Sequence, residues 1–123
     1  MYHPAIVDKI SKISRSVYSE LGPHLPVGAY AECIAYELNL YNIAYTREVF
    51  LPVCYKNIVI DSGYTVSFII EESVLLEIKD TEHSYKYHKK RLLTAMQMTG
   101  KRSGLLLNFH AENFSDVIRA FVL

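Results

Sequence analysis

Apolar residues first recur along the chain at helical spacing. Ile6, Ile10, Ile13, Val17 and Leu21 lie three or four apart, which predicts an amphipathic helix closed by Gly22-Pro23. A second helical stretch runs from Val27 to Leu40, with Tyr30, Ile34, Leu38 and Tyr41 on one stripe and Pro26 suited to its first turn. After Asn42 the period shortens. Tyr45 to Tyr55 is rich in β-branched and aromatic residues and reads as a strand, with Pro52 pointing to an edge or a bulge. Lys56-Asn57 fits a tight hairpin turn, Asn57 supplying the positive φ, and Ile58 to Asp61 is the returning strand. Ser62-Gly63 permits a bend before a further strand, Tyr64 to Ile70, and Glu71-Glu72-Ser73 turns into Val74 to Lys79. These four strands predict an antiparallel meander. Asp80 or Thr81 is placed to cap a third helix, Ser84 to Thr99, with Tyr85, His88, Leu92, Leu93 and Met96 inward and Gly100 as its C-terminal cap. Ser103 to Phe109 has the unbroken apolarity of a strand buried on both faces, and Val117 to Leu123 is a short last strand or helix. The order α-α-β-β-β-β-α-β predicts one α/β domain with a mixed sheet flanked by helices.

Composition narrows the picture. The 123 residues suit a single domain that buries roughly two-thirds of its unfolded surface. Thirteen basic and thirteen acidic side chains cancel, so no chain-wide attraction to nucleic acid or acidic membranes is expected, although a local patch remains open. Cys33 and Cys54 lack metal-ligand spacing and sit in apolar segments, which predicts two buried free thiols in a reducing cytosol. Asp8, Lys9, Lys12 and Arg15 interrupt the early apolar residues, contrary to a signal peptide, and no run approaches the roughly 20 apolar residues of a membrane span. Tyr18, Tyr30 and Tyr36 lie on apolar helical stripes, where core packing explains them better than base stacking.

The candidate chemistry gathers at Glu77-Ile78-Lys79. Residues two apart in a strand share a face, so Glu77 and Lys79 are expected side by side, with Ser67 near Glu77 on the neighbouring strand. The same alternation puts Val66, Phe68 and Ile70 together on the opposite face. A carboxylate at a strand end with a nearby lysine suits a Mg²⁺ site for phosphodiester cleavage, the metal polarising the phosphoryl group and the lysine steadying developing charge. The bland alternative is an exposed same-face ion pair of little energetic consequence. Lys86, Lys89, Lys90 and Arg91, with Lys101 and Arg102, form the densest basic cluster, either a solvated helix face or a phosphate-contact surface. His88 reads as an oriented helix residue, since no Cys or second His stands at metal spacing.

These residues carry a resemblance. Leu21-Gly22-Pro23 with Tyr30, Leu51-Pro52-Val53 with Tyr55-Lys56, Ile60-Asp61 with Gly63-Tyr64, Glu77-Ile78-Lys79, His88 with Leu92-Leu93, Thr99-Gly100, Gly104-Leu105-Leu106 and Asn108-Phe109 together resemble the GxxExxY family, a branch of the PD-(D/E)XK nuclease-like superfamily. The resemblance implies the fold, and it implies a structural Asp-x-Gly-Tyr turn at Asp61. It does not carry the full site across. The family's acid after the Gly-Pro turn falls at Val27, its metal-binding Asp at Ser67 and its helix Gln at Arg91; only Glu77 and Lys79 remain.

The expected function is therefore a catalytically inactive or impaired bacterial, cytoplasmic nuclease-fold protein that binds DNA or RNA or assembles with protein, with no cofactor. Glu77 and Lys79 are its vestigial catalytic residues, and Arg91 is expected to neutralise Glu77. One alternative is a nuclease using Mg²⁺ or Mn²⁺ on Glu77 with Lys79. The other is a structural protein, such as a homodimer, with no affinity for nucleic acid.

Overall fold

The computed structural model describes residues 4–123. Two helices open the chain, α1 (Pro4–Leu21) and α2 (Val27–Leu40), followed by β1 (Tyr45–Tyr55), β2 (Ile58–Ile70) and β3 (Val74–Ile78). Helix α3 (Tyr85–Thr99) leads to β4 (Ser103–Leu107), and a single 3₁₀ turn precedes β5 (Ile118–Val122). The five strands form one sheet in chain order. β1, β2 and β3 are antiparallel, β3 and β4 are parallel across the α3 connection, and β5 returns antiparallel to β4.

The sheet is sandwiched. On one face α1 and α2 contribute Ile10, Ile13, Val17, Tyr30, Ile34 and Leu38 against Phe68, Ile70, Leu76, Ile78 and Leu105. On the other, Leu92, Ala95 and Met96 of α3 cover Val66, Leu75 and Leu106. β3 and β4 are buried along their whole length, which accounts for their unbroken apolar runs. Gly104 lets α3 approach β4, since a Cβ there would lie 2.5 Å from Met96 Sδ.

Several local expectations change. Ile58 to Asp61 and Tyr64 to Ile70 are one strand, so the meander has three strands and the final segment supplies the fifth. The pairing passes from Pro52–Gly63 to Val53–Ile60, leaving Asp61 and Ser62 without partners on β1. The two extra residues are absorbed as a bulge that interrupts the ladder locally while both strands continue past it. Within β2, Val66 packs toward α3 while Phe68 and Ile70 pack toward α1 and α2, so the three do not share a face. Glu48, between the partners of Phe68 and Val66 on β1, has a left-handed backbone (φ 51°), the local irregularity that accompanies this change of face.

Turn chemistry also differs in detail. Lys56, and not Asn57, takes positive φ in the first hairpin. Glu71 and Glu72 both do so in the second, the geometry whose twist matches antiparallel strands. Pro26 is the N-cap of α2, just outside its first turn, and Ser84 caps α3, its hydroxyl accepting from Tyr87 N at 3.1 Å. Gly100 closes α3 at φ 70°. Tyr30 is fully buried and stacked on Phe109, whereas Tyr36, Tyr41 and Tyr85 are exposed because they fall on the solvent side of their helices or at an end. Both cysteines are free; Cys33 is half-buried and Cys54 is exposed on β1, at a recess it lines with Thr94 and Met98 of α3. No helix among the described residues is long and apolar enough to cross a membrane.

Candidate functional site

β2 and β3 place Ser67 and Glu77 together. Phe68 pairs with Leu76, so the next residue outward on each strand lies beyond that pair, and both turn toward α3. Ser67 Oγ donates to Glu77 Oε1 at 2.8 Å, and Ser67 N approaches the same oxygen at 3.3 Å. Glu77 is only 9% exposed. Burial pushes its carboxyl up from the ordinary 4.5, against the Ser67 hydrogen bonds and the nearby charges of Arg91 and His88.

That shift has a definite sign. An acid with a folded pKa above its unfolded one binds more protons when folded, so its contribution is most favourable below 4.5 and declines as pH rises through the folded value. Glu77→Gln keeps an acceptor for Ser67 and removes the buried charge. Its melting temperature at neutral pH is expected to equal or exceed that of the wild type, with a flatter profile from pH 4 to 8. Thermal melts across that range check this; a variant that melts lower at pH 7 contradicts it.

Lys79 does not stand beside Glu77. The strand ends at Ile78, Lys79 N is tied to Leu107 O at 2.8 Å, and its ammonium donates to the Asp80 carbonyl at 2.8 Å. Its charge is felt by His110, whose pKa is lowered by burial and by the neighbouring His24 and Lys79 against an opposing pull from Asp80. The same-face expectation fails because strict alternation stops where the ladder stops. Val27 begins α2 and lines a recess with His24, Asp80 and His110, supplying no acid there.

Arg91 lies near Glu77 without pairing to it; among the described residues Glu77 forms no ion pair. The Arg91 guanidinium instead sits 4.8 Å from the Tyr64 ring and 5.5 Å from that of Tyr87, and Nη1 donates to Tyr87 Oη at 3.0 Å. Its Nε is buried with no protein partner. Stacking on two tyrosines, and not charge neutralisation, fixes this side chain.

The basic run divides. Lys86 and Lys90 are exposed one turn apart; Lys89 leans over Phe121 at 5.6 Å, and Arg91 turns into the pocket. Arg102 is engaged by the Leu123 carbonyl through Nε at 2.8 Å, while Lys101 is half-buried behind Gly100.

Sequence reasoning missed Asp80 and His83 as partners of His88. Asp80 Oδ1 accepts from Glu82 N at 3.1 Å, from His83 N at 2.9 Å and from His88 Nε2 at 3.2 Å, while Oδ2 meets His83 Nδ1 at 2.9 Å. Partial burial opposes ionisation of Asp80, but the hydrogen bonds from His83 and His88 outweigh it and hold the carboxyl well below the usual 3.8. Its stabilising contribution is present above 3.8 and is lost as pH falls, opposite in sign to that of Glu77. Asp80 thus caps the turn before α3, not the helix itself. The available signal was the spacing Asp80-x₂-His83-x₄-His88. Glu77, Asp80, His83, Tyr87, His88 and Arg91 together line one pocket of about 200 Å³.

The sequence model of the PD-(D/E)XK nuclease superfamily matches residues 4–120. Neither a curated protein nor a solved structure matches the chain significantly.

Proposed function

The chain belongs to the PD-(D/E)XK nuclease superfamily, and on that premise we propose that it is a nucleic-acid-binding protein whose phosphodiester-cleaving site is impaired or lost. By its motifs from Leu21 to Phe109 it resembles the GxxExxY proteins of that superfamily. One observation carries the reading: a neutral hydroxyl, Ser67 Oγ, meets Glu77 at 2.8 Å where a second carboxylate is wanted. Mg²⁺ sites use one or two carboxylates with water and phosphate oxygens. Here Glu77 is buried, accepts two hydrogen bonds on one oxygen and is biased by burial toward its neutral form, while Asp80, the other carboxylate on the pocket, is engaged by His83 and His88. That donor set does not fit Mg²⁺, and the ammonium of Lys79 is committed to the Asp80 carbonyl.

Nucleic-acid binding is supported by Lys86, Lys89 and Lys90 on one side of α3, next to the tyrosine-stacked Arg91. Exposed Tyr55, Ile58 and Val59 at the end of the β1–β2 hairpin favour a second reading, assembly with protein through an apolar patch. Labelled single- and double-stranded DNA and RNA, titrated with protein at several salt concentrations in Mg²⁺ or Mn²⁺, separate these readings. The expected result is salt-sensitive binding without cleavage, with a slope of log affinity against log salt reduced by roughly one for each of Lys86→Ala and Lys90→Ala. Metal-dependent cleavage abolished by Lys79→Ala overturns the proposal. Absence of nucleic-acid binding, with self-association weakened by Val59→Lys, replaces it with the assembly reading.

A further inference from the structure

Asp80, His83 and His88 offer three ligand atoms of different residues, all within 4.8 Å of one another. We infer that these three side chains form a binding site for a divalent transition metal of the zinc class, separate from Glu77. The inference is independent of the proposed function.

The donor chemistry selects the class of ion. Two imidazole nitrogens and one carboxylate suit Zn²⁺ and its neighbours, whereas Mg²⁺ and Ca²⁺ prefer all-oxygen shells. Four ligands at the usual 2.0–2.1 Å around a tetrahedral zinc stand about 3.3 Å apart. Asp80 Oδ1 is 3.2 Å from His88 Nε2 and Asp80 Oδ2 is 2.9 Å from His83 Nδ1; with one atom taken from each residue the three lie within 4.8 Å of one another, so the side chains must rotate to draw together on one ion.

The scaffold holds these ligands in place. His88 is 6% exposed in the first turn of α3, and its ring meets those of Tyr87 and His83 edge-on. His83 lies flat on Tyr87, with centroids 4.2 Å apart and planes 15° apart. Asp80 is fixed by the backbone N–H groups of Glu82 and His83. A metal here ties the end of the β3 connection to α3. All three ligands line the pocket shared with Glu77 and Arg91, which leaves room beside them for water or an oxyanion oxygen to complete the shell.

Support around the ligands sets the expected strength. Histidine ligands bind best when the other ring nitrogen has its own hydrogen-bond partner, and loss of such support lowers affinity by about 10–100-fold. His88 Nδ1 is buried with no protein partner. The site is therefore expected to be weaker by that factor than a fully supported three-ligand site.

The test uses the full chain, freed of metal and of any polyhistidine tag. Zn²⁺ titration by calorimetry, elemental analysis after dialysis and thermal melts are expected to give one zinc per chain and a melting temperature raised by Zn²⁺ but not by Mg²⁺. His83→Ala and Asp80→Asn are each expected to weaken zinc binding by at least about tenfold, while Glu77→Gln binds as the wild type does. His83 is 43% exposed, and its variant is expected to fold; the metal-free melt of each variant verifies this, and His83→Asn serves should His83→Ala unfold. Absence of stoichiometric zinc, or affinity unchanged in folded His83 and Asp80 variants, overturns the inference and leaves a hydrogen-bonded bracket at the start of α3. Loss of binding in Glu77→Gln overturns the separation of this site from Glu77.

Discussion

Ser67→Asp is expected to destabilise the protein at neutral pH without divalent metal, by less than the roughly 3–5 kcal/mol of a fully buried uncompensated charge, because Ser67 is half-buried. The wild-type hydroxyl donates to Glu77 at 2.8 Å. A carboxylate there removes the donor and sets a second negative charge against the first, in a place where Glu77 is already 9% exposed and raised in pKa by burial. The two groups then share a proton, so the loss is smaller at pH 5 than at pH 7.5. Mn²⁺ or Mg²⁺ is expected to restore part of the stability in a saturable manner, because the substitution sets a second carboxylate beside Glu77. Thermal melts in EDTA and in metal, at both pH values, make the comparison. An unchanged melting temperature in EDTA, or none of this metal response, contradicts the proposal that a carboxylate at position 67 would complete a metal site with Glu77.

Gly63→Ala is expected to disrupt the outer half of the β1–β2 hairpin. A Cβ at Gly63 would lie 1.9 Å from the Leu51 carbonyl oxygen and 2.9 Å from its carbon, both backbone atoms that cannot move aside as a side-chain tip does. Gly63 faces Pro52 at the point where Asp61 and Ser62 bulge out of the ladder, so the strain falls on the register itself. Overpacking of this kind costs about 1–3 kcal/mol and at times more, and each kcal/mol lowers the melting temperature of a chain this size by roughly 3–5 °C. Hydrogen exchange is expected to show lost protection from Val53 to Ile60 while the buried strands β3 and β4 stay protected. Equal melting and equal protection in the variant would show that the hairpin adjusts without strain.

The same hairpin shows where sequence reading was strong and where it failed. Alternating β-branched residues revealed both strands, and Pro52 with Ser62-Gly63 revealed an irregularity. Whether that irregularity ends a strand or bulges within it depends on partners across the ladder. Strict alternation likewise put Val66 with Phe68, but Glu48 on the facing strand adopts a left-handed backbone and Val66 packs toward α3. Ser67 beside Glu77 was legible because each is the next strand residue beyond the Phe68–Leu76 pair, where β2 and β3 both still run on. Lys79 was misplaced because it lies one residue past the end of β3.

By itself the sequence determined the two opening helices, the buried strands and Gly100 as a helix stop. Those conclusions rest on periodicity, turn chemistry and residue identity, which act over a few positions. Only the tertiary structure decided that Arg91 meets Tyr64 of β2 and that His88 of α3 reaches Asp80. Both contacts join separate elements, and they follow from how α3 packs on the sheet through Leu92 and Met96.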